Sequence, residues 1–391
     1  MHAMKKKRIL LTCGRSTLTL DLARKFSRSG HTVYVVETTG YNVCRFSNAV
    51  EKSFTIPAPR YDFKGFTKAL LKIAKEQEID LLIPVFEDIL YVSRLTHLFP
   101  KETEVFSLPF EKVNSFHNKW LYSEKLKSHS IPRPDAYLLQ SKEDVEALVF
   151  DRPYAIKNVY NRASKNVFKV EKKEDLEELT FDPHNPWIAQ EWVDGNRFCT
   201  FSIVREGKLL AHSTYPVRYT CEGHSCYAFE SIHHAKIQEW VEHFVQIENF
   251  TGHIAFDFIE TADRGLLTIE CNPRATTGLH LFDDEDRLDL AYTENLQTPL
   301  LSPIGRTSQI MAAHFIFGWR KVNRKEELPS FYQQFKAAPD IIFDREDLKP
   351  FLSQLLLVPV YIAESLRIRS SIAETYTYQI EWNGEPVPEP T

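Results

Sequence analysis

The sequence predicts an α/β unit at the N-terminus followed by an α+β body. Three observations predict it: strand–helix–strand alternation through residues 1–112, a break at Pro132 and Pro134, and hairpin-like stretches from Tyr137 to Thr298. Arg8–Thr12 is a short apolar run that stops at Gly14. Leu18, Leu20, Leu22, Ala23 and Phe26 then recur near helical spacing, and Ser29 and Gly30 end that helix. His31–Glu37 is a second strand and Asp80–Val85 a later one. Short links between these elements argue for a parallel, doubly wound sheet. Active groups in such sheets sit beyond the carboxyl ends of strands, which singles out Gly14–Thr17 and Glu87–Asp88. The loop after the first strand lacks Gly-x-Gly-x-x-Gly, so it gives a dinucleotide site little support.

A helix over Asn118–His129 leads to Ile131–Pro134, where neither proline continues a helix. Glu171–Glu178 is a charge run that reads as a solvated helix face. Beyond Pro303 a third section runs to Thr391. Its aromatic and aliphatic density says that it folds, while the Pro-rich end from Asn383 reads as frayed. The expected units are residues 1–112, 113–190, 191–300 and a C-terminal extension over 301–391.

Composition excludes several classes of function. The 391 residues are 43% hydrophobic, so the chain is globular rather than disordered. Lys plus Arg is 48 against 53 Asp plus Glu, and a net charge of −5 gives no electrostatic reason for a nucleic-acid partner. The longest apolar run, Leu355–Ala363, contains Pro359 and falls well short of the roughly 20 residues a membrane span needs. Met1–Arg8 is basic, but only Ile9, Leu10 and Leu11 follow it, too short for a signal peptide. The six cysteines form no Cys-x-x-Cys pair, which reads as reduced thiols in a cytoplasmic protein without a zinc site.

The stretch richest in chemistry is Gly252–Glu260, a turn through Thr261–Gly265, and Leu266–Arg274. It reads as a β-hairpin. Strand side chains alternate, so Glu270 and Asn272 share one face. If Asp257 pairs opposite either of them, three oxygen ligands converge; a slip of one residue sends Asp257 to the other face. Two carboxylates and an amide oxygen are hard ligands that suit Mg²⁺. The plain alternative is a hairpin with polar residues facing water. Phe256, Phe258, Leu267 and Ile269 instead suggest an interior strand pair, where unpartnered carboxylates are costly. Arg274 follows closely and offers a planar cation for phosphate.

Asp257-Phe-Ile followed by Ile269-Glu-Cys-Asn-Pro-Arg274 resembles the metal-binding end of the ATP-grasp superfamily. The resemblance implies an ATP-grasp fold: a Rossmann-like pre-ATP-grasp domain, two ATP-binding lobes and a C-terminal extension. It implies that Asp257, Glu270 and Asn272 hold Mg²⁺, with Mn²⁺ as a substitute, and that Arg274 approaches the transferred phosphate. Lys119, in the helix ahead of Ile131–Pro134, and Lys157, ending the strand Pro153–Lys157, match the family's two ATP-contacting lysines. Trp187–Gly195 resembles the hinge between the lobes, with Glu191 and Val193 facing adenine and Gln190 beside them. Arg218 lies where relatives carry a basic residue facing phosphate or acyl group. Glu87, Tyr219, His224 and His280 are candidate substrate contacts.

Two features depart from the family pattern. The phosphate-covering loop is usually glycine-rich with a Ser; residues 158–167 contain Ser164 but no glycine, and Arg162 and Lys165 offer side-chain charge instead. Past the hinge, where many relatives have a ribose-binding Glu, this chain has Arg197. The resemblance implies an ATP-dependent carboxylate–amine ligase that forms an amide through an acyl phosphate and releases ADP and phosphate. Its partners are then a small-molecule acid and amine, with a homodimer left open. A non-amine acceptor is one alternative, and Mg-ATP binding without catalysis is another, which the two departures keep open.

Overall fold

A computed structural model describes residues 6–161, 167–220, 226–314 and 335–389, with the side chains of Ile372 and Ala373 excepted. Ser164 and His224 lie outside the described residues, as do Arg162 and Lys165. Strands β1 (Arg8–Leu11), β2 (Thr32–Glu37), β3 (Lys52–Thr55), β4 (Leu81–Ile83) and β5 (Glu104–Val105) form an all-parallel sheet in the order β3-β2-β1-β4-β5. The strand order reverses direction between β1 and β4, which puts the loops after those two strands at the switch point. Alternation sorts the core. Ile9, Leu11, Val33 and Val35 face one layer with Phe26, while Leu10, Tyr34 and Val36 face the other with Phe66 and Leu70. Ser16 caps the helix Thr17–Arg28 by accepting from the Leu18 amide, and Lys25 and Arg28 complement its C-terminal end.

The second sheet is antiparallel: β6 (Ala136–Leu139), β7 (Tyr154–Asn158), β8 (Phe168–Val170) and β9 (Trp187–Glu191), in the order β6-β9-β7-β8. The third contains β10 (Asn196–Arg205), β11 (Lys208–Pro216), β14 (Gly252–Thr261), β15 (Gly265–Asn272) and β16 (Leu300–Leu301), in the order β15-β14-β10-β11-β16. A smaller sheet joins β12 (Tyr219–Thr220), β13 (Cys226–Glu230) and β17 (Thr307–Gln309). The helix Ala235–Ile247 lays Ile237, Val241, Phe244 and Val245 against Ile254, Phe256 and Phe258 of β14. Tyr122 and Leu126 of the helix Lys119–Ser128 complete that cluster.

One face of the parallel sheet shares its core with Phe201, Ile203 and Leu210 of the third sheet and with Leu357 of the C-terminal section. That section packs on the N-terminal unit. Arg24 Nε donates to Asp347 Oδ2 at 3.0 Å, and the Ser47 hydroxyl donates to the same oxygen at 2.6 Å. The described residues after Asn383 are docked rather than frayed. Trp382 is 6% exposed and packs in the second core layer, with Val387 against it. The composition of 383–389 misleads because the packing comes from tertiary partners, not from local propensity. The charge run at 171–178 forms only a short 3-10 turn, Lys173–Leu176, with Leu176 turned inward.

Candidate functional site

The hairpin pairs Asp257 opposite Glu270 and Ala255 opposite Asn272, so both carboxylates and the Asn272 amide lie on one face. A bulge at Ile269 follows, because Asp257 opposes Glu270 while Phe258 opposes Thr268. On the other side of β14, Cys199 of β10 sits opposite Asp257. Burial and the neighbouring Glu270 push the Asp257 carboxyl above the ordinary carboxylate range, against the pull of the Cys199 hydrogen bond, Arg197 and Arg274. Two half-buried carboxylates set face to face are an arrangement that a divalent cation relieves. The oxygen-only donor set fits Mg²⁺. Among the described residues no three His, Cys, Asp or Glu side chains converge as a metal site, so a cation at this hairpin would take the Asn272 amide oxygen beside its two carboxylates.

The cations arrive from two other elements. Asn118 caps the helix Lys119–Ser128 by accepting from the Trp120 and Leu121 amides, which makes Lys119 its first residue. The buried Lys119 Nζ donates to the Asn161 carbonyl at 3.0 Å and lies 3.4 Å from Glu270 Oε1. Lys157, near the end of β7, donates from Nζ to Gln190 Oε1 at 2.8 Å. Burial lowers the Lys157 pKa to about 8, with Glu270 and Asp257 raising it and Lys119 lowering it further.

A cavity of about 300 Å³ brings several of these groups together, while Lys119 and Asn272 are not among its lining residues. Lys157, Gln190, Glu191, Val193, Arg197, Asp257 and Glu270 all line it. Gly195, also on its wall, lets the chain pass close to β14: a Cβ there would stand 2.5 Å from the Glu260 carbonyl oxygen. The lining is mixed: Lys157, Lys169, Arg197, Asp257 and Glu270 supply charge, and Ala155, Trp192, Ile259 and Ile269 supply apolar surface. Glu191 is also held by Arg264 at 3.0 Å and Arg152 at 3.4 Å, which fixes the strand end.

Lys169, Trp192 and Asn161 line the cavity without having been singled out in the sequence. Lys169 pairs with Ala155 across β7 and β8, so it shares the face of Lys157, and its ammonium lies 5.4 Å from the Trp192 ring centroid. The apolar–charged–apolar order of Phe168, Lys169 and Val170 in the sequence is the signal that could have found it.

The remaining candidates lie outside that cavity. Arg274 Nε stands 2.8 Å from Glu87 Oε1, with its guanidinium over the Phe86 ring at 4.9 Å. The Ala275 amide donates to the Val85 carbonyl at 3.1 Å, tying the hairpin end to the loop after β4. Arg218 is exposed and 3.5 Å from Glu230. Tyr219 packs beside the rings of Tyr227 and His314, each at 6.4 Å. His280 is buried, with Nδ1 2.7 Å from Asp21 Oδ2, so its ring joins the helix Thr17–Arg28 to the third-sheet unit. The loop after β1 is closed off by an ion pair. Arg15 Nε donates to Glu37 at 3.0 Å, and Arg15 Nη2 also donates to Gln379 Oε1 at 2.8 Å.

Residues 116–278 match the ATP-grasp domain family. No curated protein matches the chain. Among solved structures, the L-amino acid ligase from Bacillus licheniformis is similar at 17% identity, covering 71% of this chain and 68% of that one, with a TM-score of 0.54. The N5-carboxyaminoimidazole synthetase from Staphylococcus aureus is 14% identical over 83% of this chain and 88% of its own, with a TM-score of 0.63. The β,γ-ATP complex of biotin carboxylase from Campylobacter jejuni is 15% identical over 78% and 75%, with a TM-score of 0.61. At these identities the likeness is one of fold.

Proposed function

We propose that this chain, which carries an ATP-grasp domain, is an ATP-dependent ligase joining a small carboxylic acid to an amine. The observation that carries the proposal is the meeting in one cavity of the Asp257–Glu270 pair, the buried Lys157 and the apolar side chains Ala155, Trp192, Ile259 and Ile269, with Glu191 and Val193 on the same wall. ATP fits that mixed lining, its phosphates facing the charged groups and its adenine the apolar ones. In this reading residues 1–112 are the pre-ATP-grasp domain, 113–190 and 191–300 the two lobes, and 301–391 the extension.

Asp257, Glu270 and Asn272 would hold Mg²⁺, with Mn²⁺ as a substitute, and the bound ion supplies charge neutralisation to the phosphates. Lys119 and Lys157 orient the phosphates from the buried side, and Arg197 takes the place of a ribose-binding carboxylate at the rim. Ser164 belongs to the proposed phosphate loop. Gln190 holds the Lys157 ammonium in place. The donor carboxylate attacks the γ-phosphorus in line, and ADP leaves. The amine then attacks the acyl carbon and phosphate departs, its proton passing to solvent. Arg274 would meet the negative charge of the transferred group, oriented by Glu87. Arg218 would assist from the exposed side, and Tyr219 and His224 would border the acceptor. The bond from His280 to Asp21 argues for an interdomain role rather than substrate contact.

No helix among the described residues is long and apolar enough to cross a membrane. A cytoplasmic site of action is part of the proposal, as is a homodimer, which light scattering on the purified protein tests. The acyl phosphate is tested with ¹⁸O-labelled acid. Label appearing in the released phosphate supports the route; phosphate free of label with product formed would exclude it.

A further inference from the structure

The last described residues turn back across the molecule and reach the root of the segment that leaves β7. Arg60 anchors this strap: Nη1 donates to Glu381 Oε1 at 2.7 Å, and Nη2 lies 3.2 Å from Glu385 Oε1. The Tyr91 hydroxyl donates to the Glu381 carbonyl at 3.1 Å. Trp382 then inserts between aromatic rings, with its centroid 5.2 Å from Phe110 and 4.9 Å from Tyr160. The Arg94 guanidinium covers both Phe110 and Trp382. Two residues on, Gly384 adopts φ +95. A Cβ there would fall 1.9 Å from the His184 carbonyl oxygen and 2.9 Å from the Tyr160 ring, so only glycine lets the strap lie this close.

Tyr160 is the residue through which this contact reaches the cavity. Its amide donates to Asn185 Oδ1 at 3.0 Å, its carbonyl accepts from Asn185 Nδ2 at 3.1 Å, and its hydroxyl donates to Asn114 Oδ1 at 3.0 Å. His117 stacks on the ring at 6.0 Å. The next residue, Asn161, lines the cavity and offers its carbonyl to the Lys119 ammonium, which in turn faces Glu270. The Lys119 amide also donates to the Val159 carbonyl at 3.1 Å. A contiguous series therefore runs from Trp382 through Tyr160 and Asn161 to Lys119 and Glu270.

We propose that Trp382 is a positioning residue for nucleotide binding. By clamping Tyr160 it fixes the Asn161 carbonyl and so the place of the Lys119 ammonium. The proposal rests on reading the cavity as the nucleotide site. The residues that support a ligand-binding group from behind typically change affinity by about 10- to 100-fold when removed. The Trp382 ring packs on Phe110, Tyr160 and Arg94, so its effect should fall on nucleotide affinity and spare the acid and amine.

The test is titration calorimetry of the full chain with Mg-ADP, together with steady-state kinetics, for wild type, W382A and W382F. The expected result is a Kd for Mg-ADP and a KM for ATP raised about tenfold in W382A. The KM values for acid and amine and kcat should stay within about twofold, and W382F should restore most of the affinity, because a ring still covers Tyr160. If W382A does not fold, W382L and G384A make the same comparison, each loosening the clamp on Tyr160. A folded variant that binds Mg-ADP like wild type, or one that loses acid, amine and nucleotide affinity equally, overturns the positioning role. Wild type that binds no Mg-ADP overturns the nucleotide reading itself, and the proposal falls with it.

Discussion

Lys157→Met is expected to stabilise the ligand-free protein while weakening its hold on Mg-ADP. Lys157 is 5% exposed, and burial brings its pKa down to about 8 from the ordinary 10.5. That gap is worth about 3 kcal/mol against the charged form. Below pH 8 the folded and unfolded chains both carry the proton, so the cost is fully present. Between pH 8 and 10.5 the unfolded chain binds more protons than the folded one, so stability rises with pH, and above 10.5 the cost has vanished. Methionine removes the charge at similar length but deprives Gln190 Oε1 of its donor at 2.8 Å, which returns about 1 kcal/mol. The net gain is about 2 kcal/mol at pH 7, shrinking as pH approaches 10.5. Loss of a charge-assisted bond to phosphate costs about 2–3 kcal/mol of binding, roughly 30- to 150-fold in Kd. Urea unfolding at pH 7 and pH 10, with calorimetric titration of Mg-ADP, measures both. A variant less stable than wild type at pH 7, or a stability gap that does not change with pH, would refute the electrostatic account of this lysine.

Three further expectations concern other groups. Glu270→Gln keeps the hairpin pairing but removes one of two opposed carboxylates, so turnover should fall by about a thousandfold with a cooperative melt retained; near-normal turnover sinks the metal assignment. Glu87→Gln strands the Arg274 guanidinium, and Arg274→Met strands a fully buried carboxylate, each costing about 3 kcal/mol in urea unfolding. The double variant should lose much less than the two combined, and additive losses would show the pair to be uncoupled. Burial alone would raise the Asp21 pKa, yet Lys25 and His280 hold it down to about 2. This carboxylate therefore adds about 2 kcal/mol above pH 4 that is lost as pH falls toward 2, and His280→Ala should flatten that acid limb in a pH series of melts.

What could be seen in the sequence was local. Period-two alternation determines that Glu270 and Asn272 share a face, but counting back from the turn would set Asp257 opposite Ile269, and only a bulge brings it opposite Glu270. Lys119 and Lys157 were singled out through the family resemblance, and the structure sets Lys119 first in its helix after the Asn118 cap and Lys157 one residue before the end of β7. The Ile269 bulge was not legible, since nothing in the residues marks an extra one. Long-range pairs were equally hidden. Glu87 and Arg274, or Arg15 and Gln379, meet only because the switch point of the parallel sheet receives the hairpin end and the C-terminal section. His280 read as a substrate contact because its commitment to Asp21 depends on how two units dock. The tail misread for the opposite reason: its prolines describe a chain without helix or strand, not one without a place to pack.

The most direct measurement of the central claim is ADP and phosphate release from Mg-ATP in the presence of pooled amino acids and small carboxylic acids, with Glu270→Ala alongside. The account predicts release that requires one of the pools and disappears in the variant, with a condensed product in the mixture by mass spectrometry. Release that persists unchanged in Glu270→Ala, or Mg-ATP binding with no release in any pool, would contradict it.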